Sequence, residues 1–304
     1  GQLKNVEQII SALKSPDNRQ VKIAGTWGSF APLLALHIHR QLAKPILYIS
    51  KHLDDADNVV DDIIAFEGKN IDVLPGWAGE ELIDATDETA SARARLVLKI
   101  TADSQPAIIS ASIQSLMEPV PKPDKLLEEG LALGRGKTIE MDRVCKWLAD
   151  NGFEAAAQLD LPGQFVRRGG IIDIFAPVSA QSNQAIAVRV EFFGDEIESI
   201  RTIDLDSQRS AGTVENITIT SCTIEDDGKN QTQFLNILDH ETIIFIEEPT
   251  EVQEVADVFI RRVDRPERFF KWEEIYKKIS TFRQLHISRF GDADTIELRI
   301  KSTQ

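Results

Sequence analysis

The sequence predicts an α/β parallel-sheet domain that carries a small α+β, mainly antiparallel, domain inserted into it. Three observations predict this. Strand-like and helix-like segments alternate over residues 1–118. Short strands spaced by turns replace that rhythm between about 150 and 210. The strand–helix alternation then returns, more weakly, after Ser210. At 304 residues the chain has room for about two domains.

The elements follow in order. Val6, Ile9, Ile10 and Leu13 have helical spacing. Val21–Ala24 is a short apolar strand, and Phe30 to Leu42 is a helix broken by Pro45. Ile46–Ser50 is a buried strand; Asp54 to Phe66 is an acidic amphipathic helix with Val59, Ile63 and Phe66 on one face. Ile71 to Pro75 is a strand, Thr89 to Thr101 a helix and Ala107 to Ala111 a strand. Strands of this apolar kind suit a parallel sheet covered on both faces. Pro119-Val120-Pro121-Lys122-Pro123 then reads as a stiff connector. Asp142 to Asn151 is a helix; the turn-rich stretch that follows includes IIDIF, AVRVEFF and EIESIRTI. A strand at Ile217–Thr220, a loop over Asp226–Gln233, a strand at Thr242–Ile246, a helix from Glu251 to Val263 and a last strand at Gln284–Ser288 complete the chain. The expected boundaries are 1–118, 119–211 and 212–304, the third segment returning to pack on the first.

Composition narrows the function. Hydrophobic residues at 42% and charged residues at 27% give a globular balance, which excludes a disordered chain. The longest helical apolar stretch, Phe30 to Ile38, is far short of the roughly 18 residues of a membrane helix. No secretory signal opens the sequence, and the ending suggests a fragment of something longer. Cys145 and Cys222 cannot build a disulfide framework, so a cytoplasmic location is expected. The net charge of −15 and the scarcity of aromatics argue against nucleic-acid binding over the whole surface.

Catalytic and metal chemistry find little support. The loop Gly25-Thr26-Trp27-Gly28-Ser29-Phe30-Ala31-Pro32 lies between a strand and a helix, where a phosphate site would sit. A phosphate loop of the form GxxxxGK[ST] needs a lysine for the β- and γ-phosphates and a hydroxyl for magnesium. This loop has no lysine, so Gly25, Gly28 and Ser29 mark a degenerate version of it. His37 and His39 are two apart on a helix and do not share a face. The acidic run from Asp54 to Asp62 reads as a solvated helix face. Cys145 is a buried inert thiol, or a slightly acidified one beside Lys146. No catalytic residue, metal site or cofactor is expected.

The densest signal is Leu161 to Ser210. On a strand, residues two apart share a face. In AVRVEFF, Arg189, Glu191 and Phe193 therefore lie on one side, and Val188, Val190 and Phe192 on the other. The valine side belongs in the core, which leaves Phe193 exposed beside an arginine and a glutamate. Residue types leave two readings of that row. One is a protein-binding surface, since arginine and aromatics are enriched at hot spots. The other is a cross-strand salt bridge with an aromatic over its stems.

The strings PGQFVRRGGIIDIF, RVEFFGDEIESIR and DSQRS resemble the second domain of the transcription-repair coupling factor family (Mfd) and of the excision-repair protein UvrB. The likeness spans essentially the whole chain and is strong over some fifty residues, about a sixth of it. Residues 1–118 resemble the degenerate helicase-like domain of that family, and 212–304 the segment that returns to it. UvrB is the poorer match, because it carries an intact phosphate loop and an aromatic-rich DNA-clamping hairpin. The resemblance implies a non-catalytic module that recruits UvrA, the damage-recognition ATPase, to stalled RNA polymerase in transcription-coupled excision repair. Its alternative is a helicase-like domain that binds DNA or hydrolyses nucleotide directly. By the same resemblance Arg168, Arg189, Glu191 and Phe193 bind UvrA. RNA polymerase and DNA would be partners of the full-length protein, an ATP-dependent translocase through motor domains absent from these residues; no membrane partner is implied. Arg167, where the family often has an apolar residue, and the long SAQSNQAIA segment are departures.

Overall fold

The computed structural model describes residues 2–15, 19–25, 28–67, 71–76, 88–102, 105–182, 184–220, 230–291 and 295–297. They fall into two compact units. One comprises 1–80, 104–119 and 233–304; the other comprises 81–103 and 120–232.

The first unit is built on a seven-stranded sheet. Its strands run in the order Ile296–Glu297, Gln20–Ala24, Arg283–Ser288, Ile243–Glu247, Ile46–Ser50, Ile108–Ser112 and Ile71–Leu74, all parallel. Ile46 is in register with Ile243 on one side and Ile108 on the other. Ile46–Ser50 and Ile108–Ser112 are buried at every position, which explains why they read as unbroken apolar runs rather than alternating ones. Gln2–Lys14, Phe30–Leu42, Leu53–Glu67 and Pro249–Arg262 are the longer helices of this unit. Phe30–Leu42 buries Leu34, Ala35 and Ile38 in a core shared with Ile9, Tyr48 and Phe245. Leu34 and Ile38 each contribute about 1.5–3 kcal/mol of burial. The helix stops where Ala43 takes a left-handed conformation and returns its N–H to the His39 carbonyl, two residues before Pro45.

One helix was not expected. Trp272–Ile279 is only eight residues long, but Trp272, Ile275 and Ile279 are buried at helical spacing. Glu274 accepts a hydrogen bond from the Lys271 N–H, and Lys277 and Lys278 occupy the last turn. The signal was present in WEEIYKKI, over a length where periodicity is weak.

His286 sits inside this sheet, 7% exposed. Its Nε2–H donates to Gln284 Oε1 at 2.9 Å, and Nδ1 accepts from Gln20 Nε2 at 3.0 Å. Burial, reinforced by nearby Lys22, lowers its pKa from 6.5 to about 4. The unfolded chain therefore takes up this proton at a higher pH than the folded one. The stabilising contribution is complete above about pH 6.5 and is lost as pH falls through 4. Thermal melts of the wild type and His286→Gln from pH 7 to pH 4 should diverge, with the wild type losing up to about 3 kcal/mol more across that window.

The second unit holds a six-stranded sheet in the order Arg209–Thr213, Glu196–Asp204, Ile186–Phe193, Ile171–Ala176, Gln164–Arg168 and Glu154–Ala155. Every pairing is antiparallel except the last. Helix Met141–Asp150 supplies Val144 and Leu148, which pack with Ile172, Ile174, Val188 and Val190 in one core. Two further strand pairs complete the unit: Leu131–Gly134 with Asn216–Ile219, and Val120–Pro121 with Gln231–Thr232. The proline-rich stretch is therefore not a free connector. Pro121 lies in a two-residue strand, and Pro123 opens helix Pro123–Glu128, a position where its missing N–H costs nothing. Helix Glu88–Thr101, which the alternation placed with the parallel sheet, groups with this unit through Ala94 and Leu98 against Val178. The unit also extends past residue 211, because Asn216–Ile219 pairs within it.

Candidate protein-binding site on the inserted sheet

The site lies on the face of the six-stranded sheet opposite helix Met141–Asp150. Register builds it in rows. Asp173 pairs with Val166 on one side and Arg189 on the other, and Arg189 pairs with Arg201. One row therefore reads Val166, Asp173, Arg189, Arg201. The next row reads Arg168, Ile171, Glu191, Ser199. Leu159, Val166, Phe175, Ala187 and Ile203 close the far end of this face as a small apolar cluster.

A bulge shapes the near end. Glu191 faces Ser199, but Phe192 faces Ile197, so Glu198 is an extra residue. The shift lets Ile197 and Ile200, three apart, both reach the core with Val190 and Phe192. Phe193 pairs with Glu196 across the turn Gly194-Asp195 and is 80% exposed. Gly194 has φ +61°, a conformation that glycine adopts without steric cost at this position of a two-residue hairpin turn.

The sequence grouping of Arg189 and Glu191 on one face, with Val188 and Val190 fully buried behind them, matches this geometry. The state of each group adds what the sequence did not reveal. The Asp173 side chain is 5% exposed, and a buried carboxylate needs a partner. Arg189 supplies it through two hydrogen bonds, Nε–H to Oδ1 at 2.7 Å and Nη2–H to Oδ2 at 2.8 Å. Such a two-pronged pair is among the stronger polar contacts. Glu191 accepts a hydrogen bond from the Ser199 hydroxyl and lies 3.7 Å from Arg201 Nη2. Arg168 is exposed at the end of its strand and donates from Nη2 to the Ala157 carbonyl at 2.6 Å. Arg167 points to the other face and pairs with Asp142 at 2.6 Å. Asp173, Ser199 and Arg201 are members of the site that sequence reasoning missed. The signal for Asp173 was a charge inside the apolar run IIDIF.

The other features singled out in the sequence contribute less. Gly25 and Gly28 have φ +83° and +56°, a left-handed conformation that glycine adopts without steric cost. The Ser29 hydroxyl donates to Asp62 Oδ1 at 2.9 Å, so it faces a carboxylate. Thr26 and Trp27 lie outside the described residues, as does Cys222. At the carboxyl ends of the parallel strands an open groove of about 710 Å³ is lined by Lys51, His52, Gln114, Val255, Val258 and Arg262. Lys51 is already paired with Glu251 at 2.6 Å. Beside Cys145 it is burial that counts: it pushes the thiol up, against the opposing pull of Arg167. Among the described residues no cluster could hold a metal ion, and no helix is long and apolar enough to cross a membrane.

Residues 131–223 match the UvrB interaction domain family, a segment that contains both rows of the site. That segment is therefore similar to the UvrB interaction domain family. It is also 28% identical over 218 residues to the transcription-repair-coupling factor of Bacillus subtilis, covering 70% of this chain and 18% of that protein. The coupling factor of Mycobacterium bovis is 30% identical over 174 residues, 55% of this chain and 14% of that protein. That of Escherichia coli is 24% identical over 194 residues, 63% and 16%. The chain spans under a fifth of the length of these curated relatives. Together the matches support a UvrB-homology module of the coupling-factor type.

Proposed function

We propose that the chain is a non-catalytic recruitment module of transcription-coupled excision repair that docks UvrA through the outer face of the inserted sheet. One observation carries the reading. The segment that matches the UvrB interaction domain presents an exposed phenylalanine on the same face as Arg168, Arg189, Arg201 and Glu191, in places set by strand register. That composition suits a hot spot: an aromatic anchor sharing a face with arginines. Arg168, Arg189, Glu191 and Phe193 are the proposed docking residues. Docking of this kind asks for no cofactor. RNA polymerase and DNA would be engaged by other parts of a longer protein, acting in the cytoplasm.

The reading is tested by size-exclusion chromatography of the chain mixed with purified UvrA. Co-elution as a complex is expected. Separate elution of a folded chain at micromolar concentrations of both proteins would contradict it.

A further inference from the structure

We infer that Arg201 is a further docking residue of this face, and that it takes a carboxylate presented by the partner protein. The inference rests on the docking role proposed above and names the chemistry of the partner surface.

The argument is a count of hydrogen-bond donors. Three arginines lie on this face, and the structure uses them differently. Arg189 commits two prongs of its fork to buried Asp173 and is 20% exposed. Arg168 spends one donor on the Ala157 carbonyl. Arg201 is 48% exposed, and its ion pair among the described residues is a 3.7 Å approach to Glu191. That separation is too long for a hydrogen bond. Glu191 already accepts the Ser199 hydroxyl on the same oxygen, Oε2. The guanidinium carries five donors in a planar fork, and among the described residues no hydrogen bond takes them up.

Its placement points the same way. Arg201 stands directly opposite Arg189 in the register. Asp173 already answers the Arg189 charge with both its oxygens, so the carboxylate in that row is not left over for Arg201. An exposed ion pair such as Arg201–Glu191 is weak enough for an incoming carboxylate to displace it. Phe193 lies two same-face steps along the strand from Arg189, about 13 Å, so one interface of ordinary size covers both Phe193 and Arg201.

A protein carboxylate fits better than a nucleic-acid phosphate. Residues 119–210 hold 11 basic and 15 acidic residues, a net charge of −4. Asp195, Glu196 and Glu198 crowd the turn beside Phe193. A polyanionic backbone would meet those carboxylates, whereas a single side-chain carboxylate meets only the fork.

The test is calorimetric titration of UvrA with the wild-type chain, Arg201→Ala, Arg201→Lys and Phe193→Ala. The expected result is that Arg201→Ala weakens binding about 10- to 100-fold with an unchanged melting temperature, while Arg201→Lys, which keeps the charge and loses the fork, recovers only part. The wild-type affinity should also fall more steeply with salt than that of Arg201→Ala. Wild-type affinity in Arg201→Ala alongside lost binding in Phe193→Ala would overturn the inference and leave the docking face standing. Absence of binding by the folded wild type would overturn both.

Discussion

Arg189→Ala should destabilise the inserted unit by about 3–5 kcal/mol, because it strands a carboxylate that the fold has already buried. The Asp173 side chain is 5% exposed and takes both oxygens' hydrogen bonds from this one guanidinium. Removing the cation leaves the desolvation cost of Asp173 without its compensation. A second variant separates the lost pair from lost packing. Asp173→Leu with Arg189→Met removes both charges and should recover most of the stability, since well-packed apolar replacements for a buried ion pair are often neutral. Urea denaturation of the three proteins checks this. Equal stability of Arg189→Ala and wild type would mean that the pair contributes nothing. The consequence for function is direct: loss of partner binding by Arg189→Ala has a folding component, so Arg189 is a poor single probe of the interface.

Phe193→Ala should do the reverse. The ring is 80% exposed, so its removal should change stability by less than about 0.5 kcal/mol. At the interface an aromatic anchor truncated to alanine typically costs at least about 2 kcal/mol, which is roughly 30-fold in affinity. Thermal melts and partner titrations on the same preparation separate the two effects. A large drop in melting temperature would place the ring in the fold rather than at the docking face.

Most of the elements were legible where a single local rule governs them. Ile46-Leu47-Tyr48-Ile49-Ser50 is buried on both faces and reads as a strand from its apolar run alone. Phe30–Leu42 has helical periodicity and an abrupt end. The alternation in AVRVEFF separated the two faces of a strand whose partners were not yet known. What escaped depends on pairing between distant segments. Leu131–Gly134 becomes a strand because Asn216–Ile219 lies against it. The prolines at 119–123 suggest a linker until Gln231–Thr232 pairs with one of them and a helix starts at another. The bulge at Glu198 is invisible without its partner strand.

The site was legible to the same depth. Alternation and resemblance marked Arg189, Glu191 and Phe193, but they gave the two charged residues and the aromatic equal weight. Register separates them. Arg189 is opposite Asp173 and serves the fold first, whereas Arg201 is opposite Arg189 and keeps its donors. An aspartate in the middle of IIDIF required a cation on a neighbouring strand, and only the order of the strands shows which one supplies it.

The most direct test of the central claim is an isothermal titration of purified UvrA with this chain and with Phe193→Ala, each shown to be folded by its melting curve. The account predicts a saturable complex with the wild type and at least roughly 30-fold weaker binding by the variant at unchanged stability. Equal affinity of the two proteins, or no heat of binding from a folded wild-type chain, would contradict it.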